Sequence, residues 1–206
     1  AFAAVATVTV PAAADYDGDG DLDLAVGNDG EPVRVYATEG ISMTLAWSAP
    51  ITETTMAVAW ADWDDNGYPD LAVGNEGQPN RIYVNSGGSL TLAWTSLESD
   101  DTIDLEWADW DGDNDPDLAV GNYGQPDRVY ANGGGSLALA WTSTETIEVQ
   151  ATTKGIDWGD WDGDGDLDLA VALYSEQDRI FANVGGDLVL AWIAEADDEH
   201  SNGVDW

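Results

Sequence analysis

The sequence predicts an all-β fold of four repeats, each a four-stranded antiparallel sheet. Three observations predict it. The segment Ala61-Asp62-Trp63-Asp64-Asp65-Asn66-Gly67-Tyr68-Pro69-Asp70-Leu71-Ala72-Val73-Gly74-Asn75 recurs, with acidic runs beginning at Asp15, Asp62, Asp109 and Asp160, spaced 47, 47 and 51 residues apart. Short apolar runs of period two, bounded by Gly, Pro and Asn, fill each repeat. Helix signals are absent. Four strands per repeat of about 40–50 residues is the arithmetic of a β-propeller blade.

Each element has its own signal. The first strand of a blade alternates apolar residues: Met56, Val58 and Trp60, then Ile103, Leu105 and Trp107, then Ile156 and Trp158. The acidic loop follows, and Leu71–Val73 opens the second strand. A Gly-Asn-x-Gly-Gln-Pro turn leads to a third strand at Arg81–Val84, and Gly87-Gly88 leads to a fourth at Leu90–Trp94. The four extra residues of the third interval fall between Trp141 and Trp158, which marks a surface loop. All 11 Trp occupy repeat positions, so they are expected to pack between blades rather than to form a sugar-stacking platform. The ends compete. Val5–Val10, within an N-terminal strand segment 1–14, reads as a first strand, with Ala13 where later copies have Trp. Gly203-Val204-Asp205-Trp206 matches Gly155-Ile156-Asp157-Trp158 and reads as an extra first strand. Three resolutions stand: residues 203–206 close a four-bladed ring by terminal strand exchange, the array is part of a larger propeller, or one strand is donated to a neighbouring molecule.

Composition bounds the function. A chain of 206 residues suits a single repeat array, 1–206, with a real core. Forty-one acids against five bases give a net charge of −36, which repels nucleic acid and anionic lipid. There is no Cys, so disulfides and thiolate metal sites are excluded. No apolar run of about 18 residues predicts a membrane span. The sequence opens on Ala1 with no initiator Met and no signal peptide, which reads as a processed end. No nucleophile–base pair or phosphate-cradling loop is visible, so no catalytic residue is assigned and the protein is not expected to be an enzyme.

The acidic loops, 15–23, 62–70, 109–117 and 160–168, carry the chemistry. Their candidate ligands are Asp15, Asp17, Asp19, Asp21 and Asp23; Asp62, Asp64, Asn66, Tyr68 and Asp70; Asp109, Asp111, Asp113, Asp115 and Asp117; and Asp160, Asp162, Asp164, Asp166 and Asp168. Oxygens at positions 1, 3, 5 and 9 wrap one point when the chain turns sharply. Gly supplies that turn at position 6 in three loops and Asn114 in the other, and the carbonyl at position 7 adds a ligand. Hard oxygen donors without His or Cys suit Ca²⁺, about four ions, better than Mg²⁺, Zn²⁺ or copper. An EF-hand loop needs Glu at position 12; here that position holds Val26, Val73, Val120 and Val171. Nineteen of the 41 acids lie in these loops, so metal binding is expected to couple to folding.

A strand, then Asp-x-Asp-Gly-Asp-Gly-x-x-Asp, then Leu-Ala-Val-Gly-Asn resembles the FG-GAP/VCBS-type repeat of integrin-α-like calcium-binding β-propellers, over essentially the whole chain. The resemblance implies Ca²⁺ between the first and second strands of each blade and an extracellular or cell-surface setting. Rings of that family commonly have seven blades, and this chain has four.

Four of the five bases, Arg34, Arg81, Arg128 and Arg179, sit eleven residues after Asp23, Asp70, Asp117 and Asp168. They are expected to clamp blade boundaries. Lys154 and His200 are expected to be solvated in loops. The function read from these features is a secreted or cell-surface calcium-binding propeller acting as a non-catalytic binding or assembly module. A carbohydrate-binding lectin, and a filament subunit joined by strand donation, are the alternatives. The ligand, protein or glycan, is not specified, and a homo-oligomer or fibre is a possible state. A partner site is expected on the connections 48–55, 95–102, 142–154 and 193–202.

Overall fold

A computed structural model of the chain describes residues 8–143, 152–174, 176–195, 201, 203 and 204. They form sixteen strands and, among the described residues, no helix. The strands make four antiparallel sheets in chain order. The first sheet comprises β1 (Val8–Ala14), β2 (Asp23–Asn28), β3 (Glu31–Glu39) and β4 (Ser42–Glu53). The second comprises β5 (Thr55–Ala61), β6 (Asp70–Asn75), β7 (Arg81–Asn85) and β8 (Leu90–Thr95). The third comprises β9 (Thr102–Ala108), β10 (Asp117–Asn122), β11 (Arg128–Asn132) and β12 (Leu137–Thr142). The fourth comprises β13 (Thr152–Gly159), β14 (Asp168–Tyr174), β15 (Arg179–Asn183) and β16 (Leu188–Ile193). The fold is a β-propeller built from four-stranded blades, as the repeat arithmetic predicts.

The chain divides into two compact units, 1–99 and 100–206, each holding two sheets. In each unit the same residues make the sheet-to-sheet joint. The second strands β6, β10 and β14 are buried along their apolar positions, so they read Leu-Ala-Val without polar alternation. In the first unit Trp47, on β4, meets the Tyr83 ring edge-on at 5.0 Å and donates its Nε1–H to the Leu90 carbonyl at 3.1 Å. In the second unit Trp141 meets Phe181 at 5.1 Å and donates to the Leu188 carbonyl at 3.0 Å. Trp60 donates to the Ala12 carbonyl at 3.2 Å, so these three indoles pack between sheets as expected, whereas Trp161 and Trp192, at 40% and 43% exposure, depart from that expectation. The indoles are partly buried and their ring partners Tyr83 and Phe181 fully so; burying a side chain such as Phe181 contributes about 1.5–3 kcal/mol, and the edge-on ring contact about 0.5–1.5 kcal/mol more.

Four expectations are corrected. Among the described residues the first strand of the opening sheet is Val8–Ala14, so it continues past Val10, where the sequence reading ends it; it pairs Ala12 with Ala25, and its register shifts between Val8 and Pro11. Residues 1–7 lie outside the described residues. The slot contested by the two ends is therefore filled by β1. The described part of the other candidate, Gly203-Val204, lies instead against β13, where a side chain added at Gly155 would meet the Gly203 Cα at 2.9 Å. Asp205 and Trp206 lie outside the described residues. The connection expected at 48–55 is largely strand, because β4 continues to Glu53 and pairs Thr52 with Pro32. Lys154 is not a loop residue: it sits on β13, its Nζ 5.1 Å from the Tyr123 ring centre and 5.5 Å from that of Tyr174. Two aromatic faces recruit the one lysine into a strand. His200 lies outside the described residues.

Candidate metal centre

The acidic loop of each sheet joins its first strand to its second. Two φ-positive residues make it turn. Position 4 is Gly18, Asp65, Gly112 and Gly163, at φ 81°, 55°, 80° and 80°. Position 6 is Gly20, Gly67, Asn114 and Gly165, at φ 94°, 89°, 73° and 97°. The sequence reading found the requirement at position 6 and missed it at position 4.

The aspartate at position 1 organises the turn by accepting from the backbone. Asp15 accepts from Gly18 N at 2.9 Å, Asp19 N at 3.1 Å and Gly20 N at 3.1 Å. Asp62 accepts from Asn66 N and Gly67 N at 2.9 and 2.8 Å. Asp109 accepts from Gly112 N and Asn114 N, and Asp160 from Gly163 N and Gly165 N, at 2.8–3.2 Å. At position 5, Asp19, Asn66, Asp113 and Asp164 each accept from the backbone N of position 7 at 2.9 Å. The loop is thus shaped by its own carboxylates.

Position 9 is different in kind. Asp23, Asp70, Asp117 and Asp168 are at most 1% exposed. One oxygen of each accepts from the position-2 backbone N, in Tyr16, Trp63, Trp110 and Trp161, at 2.8–2.9 Å. The other accepts from the end of the third strand, at Thr38, Asn85, Asn132 and Asn183, at 2.7–2.8 Å. Burial pushes the Asp70 carboxyl up to about 6, against the pull of the Asn85 and Trp63 amides. The same burial raises Asp117.

Carboxylate oxygens converge in every loop. They lie within 4.8 Å of one another for Asp15, Asp17 and Asp19; for Asp62, Asp64 and Asp70; for Asp109, Asp111 and Asp117; and for Asp160, Asp162 and Asp168. The last three clusters use positions 1, 3 and 9, and the first uses 1, 3 and 5, with Asp23 outside it. Loss of hydration, then the neighbouring carboxylates, raise Asp17, Asp111 and Asp162. Position-7 side chains are not drawn in. Asp21 reaches toward Gly40 N at 3.5 Å, and the Tyr68 ring lies over Gly18 and Gly87. Asp115 and Asp166 are not in a cluster, nor are Asp113 and Asp164. Asn66 spends its amide N on the Asn85 carbonyl at 2.8 Å. The donor set is all oxygen, pre-turned and mutually repulsive, and each cluster could hold a hard divalent cation.

Neighbouring residues that the sequence reading passed over hold the loops in place. Asn85 donates to the Tyr16 carbonyl at 2.7 Å, and Asn183 to the Trp110 carbonyl at 2.9 Å, each tying one sheet's turn to the preceding sheet's acidic loop. Their signal was an Asn recurring ahead of each glycine turn at 85, 132 and 183. Tyr16 OH donates to the Gly88 carbonyl in the same place. Of the arginines, Arg81 clamps two sheets, with Nε 2.8 Å and Nη2 2.5 Å from the Glu53 carboxylate. Arg128 pairs with Asp100 at 2.6 Å. Arg34 pairs within its own turn, with Glu31 at 3.2 Å, so the expected boundary clamp does not extend to it. Arg179 pairs with Glu176 at 2.9 Å, and its charge also acts on Asp127 of the third sheet.

Known proteins agree with this architecture. The model of the FG-GAP-like repeat matches residues 15–73, 62–120 and 109–171, each match running from one acidic loop through the next. Structural likeness is to β-propellers. The β-propeller domain of Cps50 (Swd1) from Myceliophteria thermophila aligns with a TM-score of 0.67 at 12% identity, covering 89% of this chain and 59% of that one. BBS1N, in its complex with ARL6DN soaked with lead, aligns with a TM-score of 0.63 at 16% identity, covering 92% and 57%. At such identities the likeness is one of fold, and the chain spans under two thirds of either protein's length. No curated protein matches the sequence significantly. The class defined by fold and loops is a repeat β-propeller. Within it, this chain belongs to the FG-GAP-like repeat family.

Proposed function

We propose that this protein is a calcium-binding β-propeller module, 1–206, that acts outside the cell or at its surface by binding or assembly rather than catalysis. The observation that carries the reading is the fourfold recurrence of converging carboxylates on one loop scaffold. Asp15, Asp17 and Asp19 would hold one ion, and the position 1, 3 and 9 aspartates of the other loops one each; the remaining loop oxygens complete the shell. Bound Ca²⁺ supplies charge neutralisation and cross-links the loop to the second strand. Sites of modest affinity suit the millimolar Ca²⁺ of extracellular modules. Native mass spectrometry tests this: four Ca²⁺ per chain are expected, removed by chelator together with a large fall in melting temperature. An unchanged melting temperature in excess chelator defeats the reading.

A carbohydrate site is the second reading. A cleft of ≈ 260 Å³ lies beside the third loop, lined by Asp111, Asp166, Asn183 and Trp110. Trp110 is only 5% exposed, so it offers no face for a sugar to stack on, and the reading ranks below the first. Silence on a glycan array would remove it.

A further inference from the structure

A place that stands open in the second unit is filled in the first unit by the chain itself. The cleft of ≈ 260 Å³ beside the third and fourth acidic loops is lined by Trp110, Gly112, Asp166, Asn183 and Gly185. Each of these has a repeat counterpart in the first unit: Tyr16, Gly18, Tyr68, Asn85 and Gly87. The frame is the same in both units, since Asn85 donates to the Tyr16 carbonyl at 2.7 Å and Asn183 to the Trp110 carbonyl at 2.9 Å. Position 7 of the acidic loop differs. Tyr68 lays its ring over two glycines, so that a side chain added at Gly18 would meet it at 3.3 Å and one added at Gly87 at 3.1 Å. Asp166 leaves the matching place empty: a side chain added at Gly112 or at Gly185 would meet nothing within 4 Å. Position 2 differs as well. Tyr16 donates its O–H to the Gly88 carbonyl, whereas Trp110, 5% exposed, carries an Nε1–H with no acceptor among the described residues.

We propose that this cleft binds a phenol ring, the side chain of a tyrosine presented by a partner protein, in the place that Tyr68 takes in the first unit. The chain supplies the template: an identical frame already seats such a ring against glycine backbone. The cleft lies below the roughly 300–1,000 Å³ of drug-sized sites, which suits a single ring. A plain hydrocarbon ring would leave the polar groups of the walls unmet. A phenol hydroxyl meets both kinds. It donates to a carboxylate, and Asp166 stands outside the metal clusters. Its oxygen also accepts, which answers the unpaired donor of Trp110. The floor is glycine backbone rather than an indole face, so the burial of Trp110, which counts against a sugar, does not count against a phenol. The inference gives the binding part of the proposed function a site and a partner chemistry. It rests on that part and not on the ion count.

The test is a titration of the chain in Ca²⁺ with p-cresol, and then with N-acetyltyrosine amide, followed by two-dimensional amide NMR. Each probe is expected to shift the Gly112 and Gly185 amides and to leave Gly18 and Gly87 in place. Toluene, which lacks the hydroxyl, is expected to bind about tenfold more weakly, the worth of one hydrogen bond to a charged acceptor. Two exchanges at position 7 test the template. Asp166→Tyr is expected to close the cleft and abolish the p-cresol shifts. Tyr68→Asp is expected to open a second cleft and add p-cresol shifts at Gly18 and Gly87. The chain itself uses both residues at position 7, and unchanged signals from the other sheets show that a variant has folded. The proposal is overturned if p-cresol leaves Gly112 and Gly185 unmoved, if its binding survives Asp166→Tyr, or if toluene binds as tightly. A methyl glycoside that moves these amides where p-cresol does not overturns it in favour of the carbohydrate reading. Ions are counted on the same samples. Binding of p-cresol by a folded chain without ions upholds the cleft and defeats the calcium reading alone; no binding with four ions held defeats the cleft alone.

Discussion

A position-by-position reading of the acidic loop separates three jobs that one letter, Asp, conceals. Position 1 shapes the turn, position 3 stands exposed, and position 9 is a buried anchor for two backbone amides. The sequence exposes the register of these residues but not the division, because burial depends on Thr38, Asn85, Asn132 and Asn183 arriving fifteen residues later. It likewise concealed position 4, where Asp65 hides the glycine requirement that Gly18, Gly112 and Gly163 show. Asp65 and Asn114 hold φ of 55° and 73°, a region that costs most L-residues about 1–2 kcal/mol and Asp or Asn less. Asp65→Gly and Asn114→Gly are therefore each expected to stabilise the chain by about 0.5–1 kcal/mol, with Asp65→Gly also relieving charge. Chemical denaturation in Ca²⁺ measures both, and a loss of stability in both variants would contradict the strain assignment.

Strands were the most legible elements where apolar residues alternate, and the second strands where they do not, since Leu-Ala-Val is buried on both faces. The ends of β4 and β1 were the least legible: β4 runs on to Glu53, paired with Glu31 and held by Arg81, and β1 carries a register shift between Val8 and Pro11 that no local pattern announces. The first strands carry a second feature that composition hides. Asp104 and Glu106 on β9 lie near Asp157 on β13, and Asp104 accepts from Ile156 N at 3.0 Å. Burial, then the charges of Asp104 and Asp157, push the Glu106 carboxyl from 4.5 up to about 7. Below pH 4.5 folded and unfolded chains both hold this proton. Between 4.5 and about 7 only the folded chain does, so stability declines as pH rises through that window. Asp70 and Asp127, each raised to about 6 with burial the largest cause, add slopes of the same sign. Glu106→Gln is expected to flatten the pH dependence of melting between pH 5 and 7.5 in chelator, leaving the share of the other two carboxyls. An unchanged slope would show that Glu106 ionises freely in the folded chain.

Across the whole molecule the deciding quantity is charge. The net charge of −36 includes nineteen aspartates in four loops, twelve of them in the four clusters, and four Ca²⁺ ions would reduce it only to −28. Two separate repulsions are therefore superimposed: a short-range one inside each loop, which an ion removes, and a diffuse one over the surface, which an ion leaves nearly intact. They differ in their response to salt. Within a cluster the oxygens lie within 4.8 Å, well inside the Debye length of about 8 Å at physiological ionic strength, so monovalent salt screens the clusters poorly. Charges farther apart than that length are screened well. Adding NaCl to the chelated protein is therefore expected to recover only part of the melting temperature that chelation removes, while Ca²⁺ at low ionic strength recovers most of it. Differential scanning calorimetry on the same preparation, titrated first with NaCl and then with CaCl₂, measures both. Full recovery by NaCl alone would mean that the loops need only diffuse screening, and that local ion binding is not what couples these sheets to their fold.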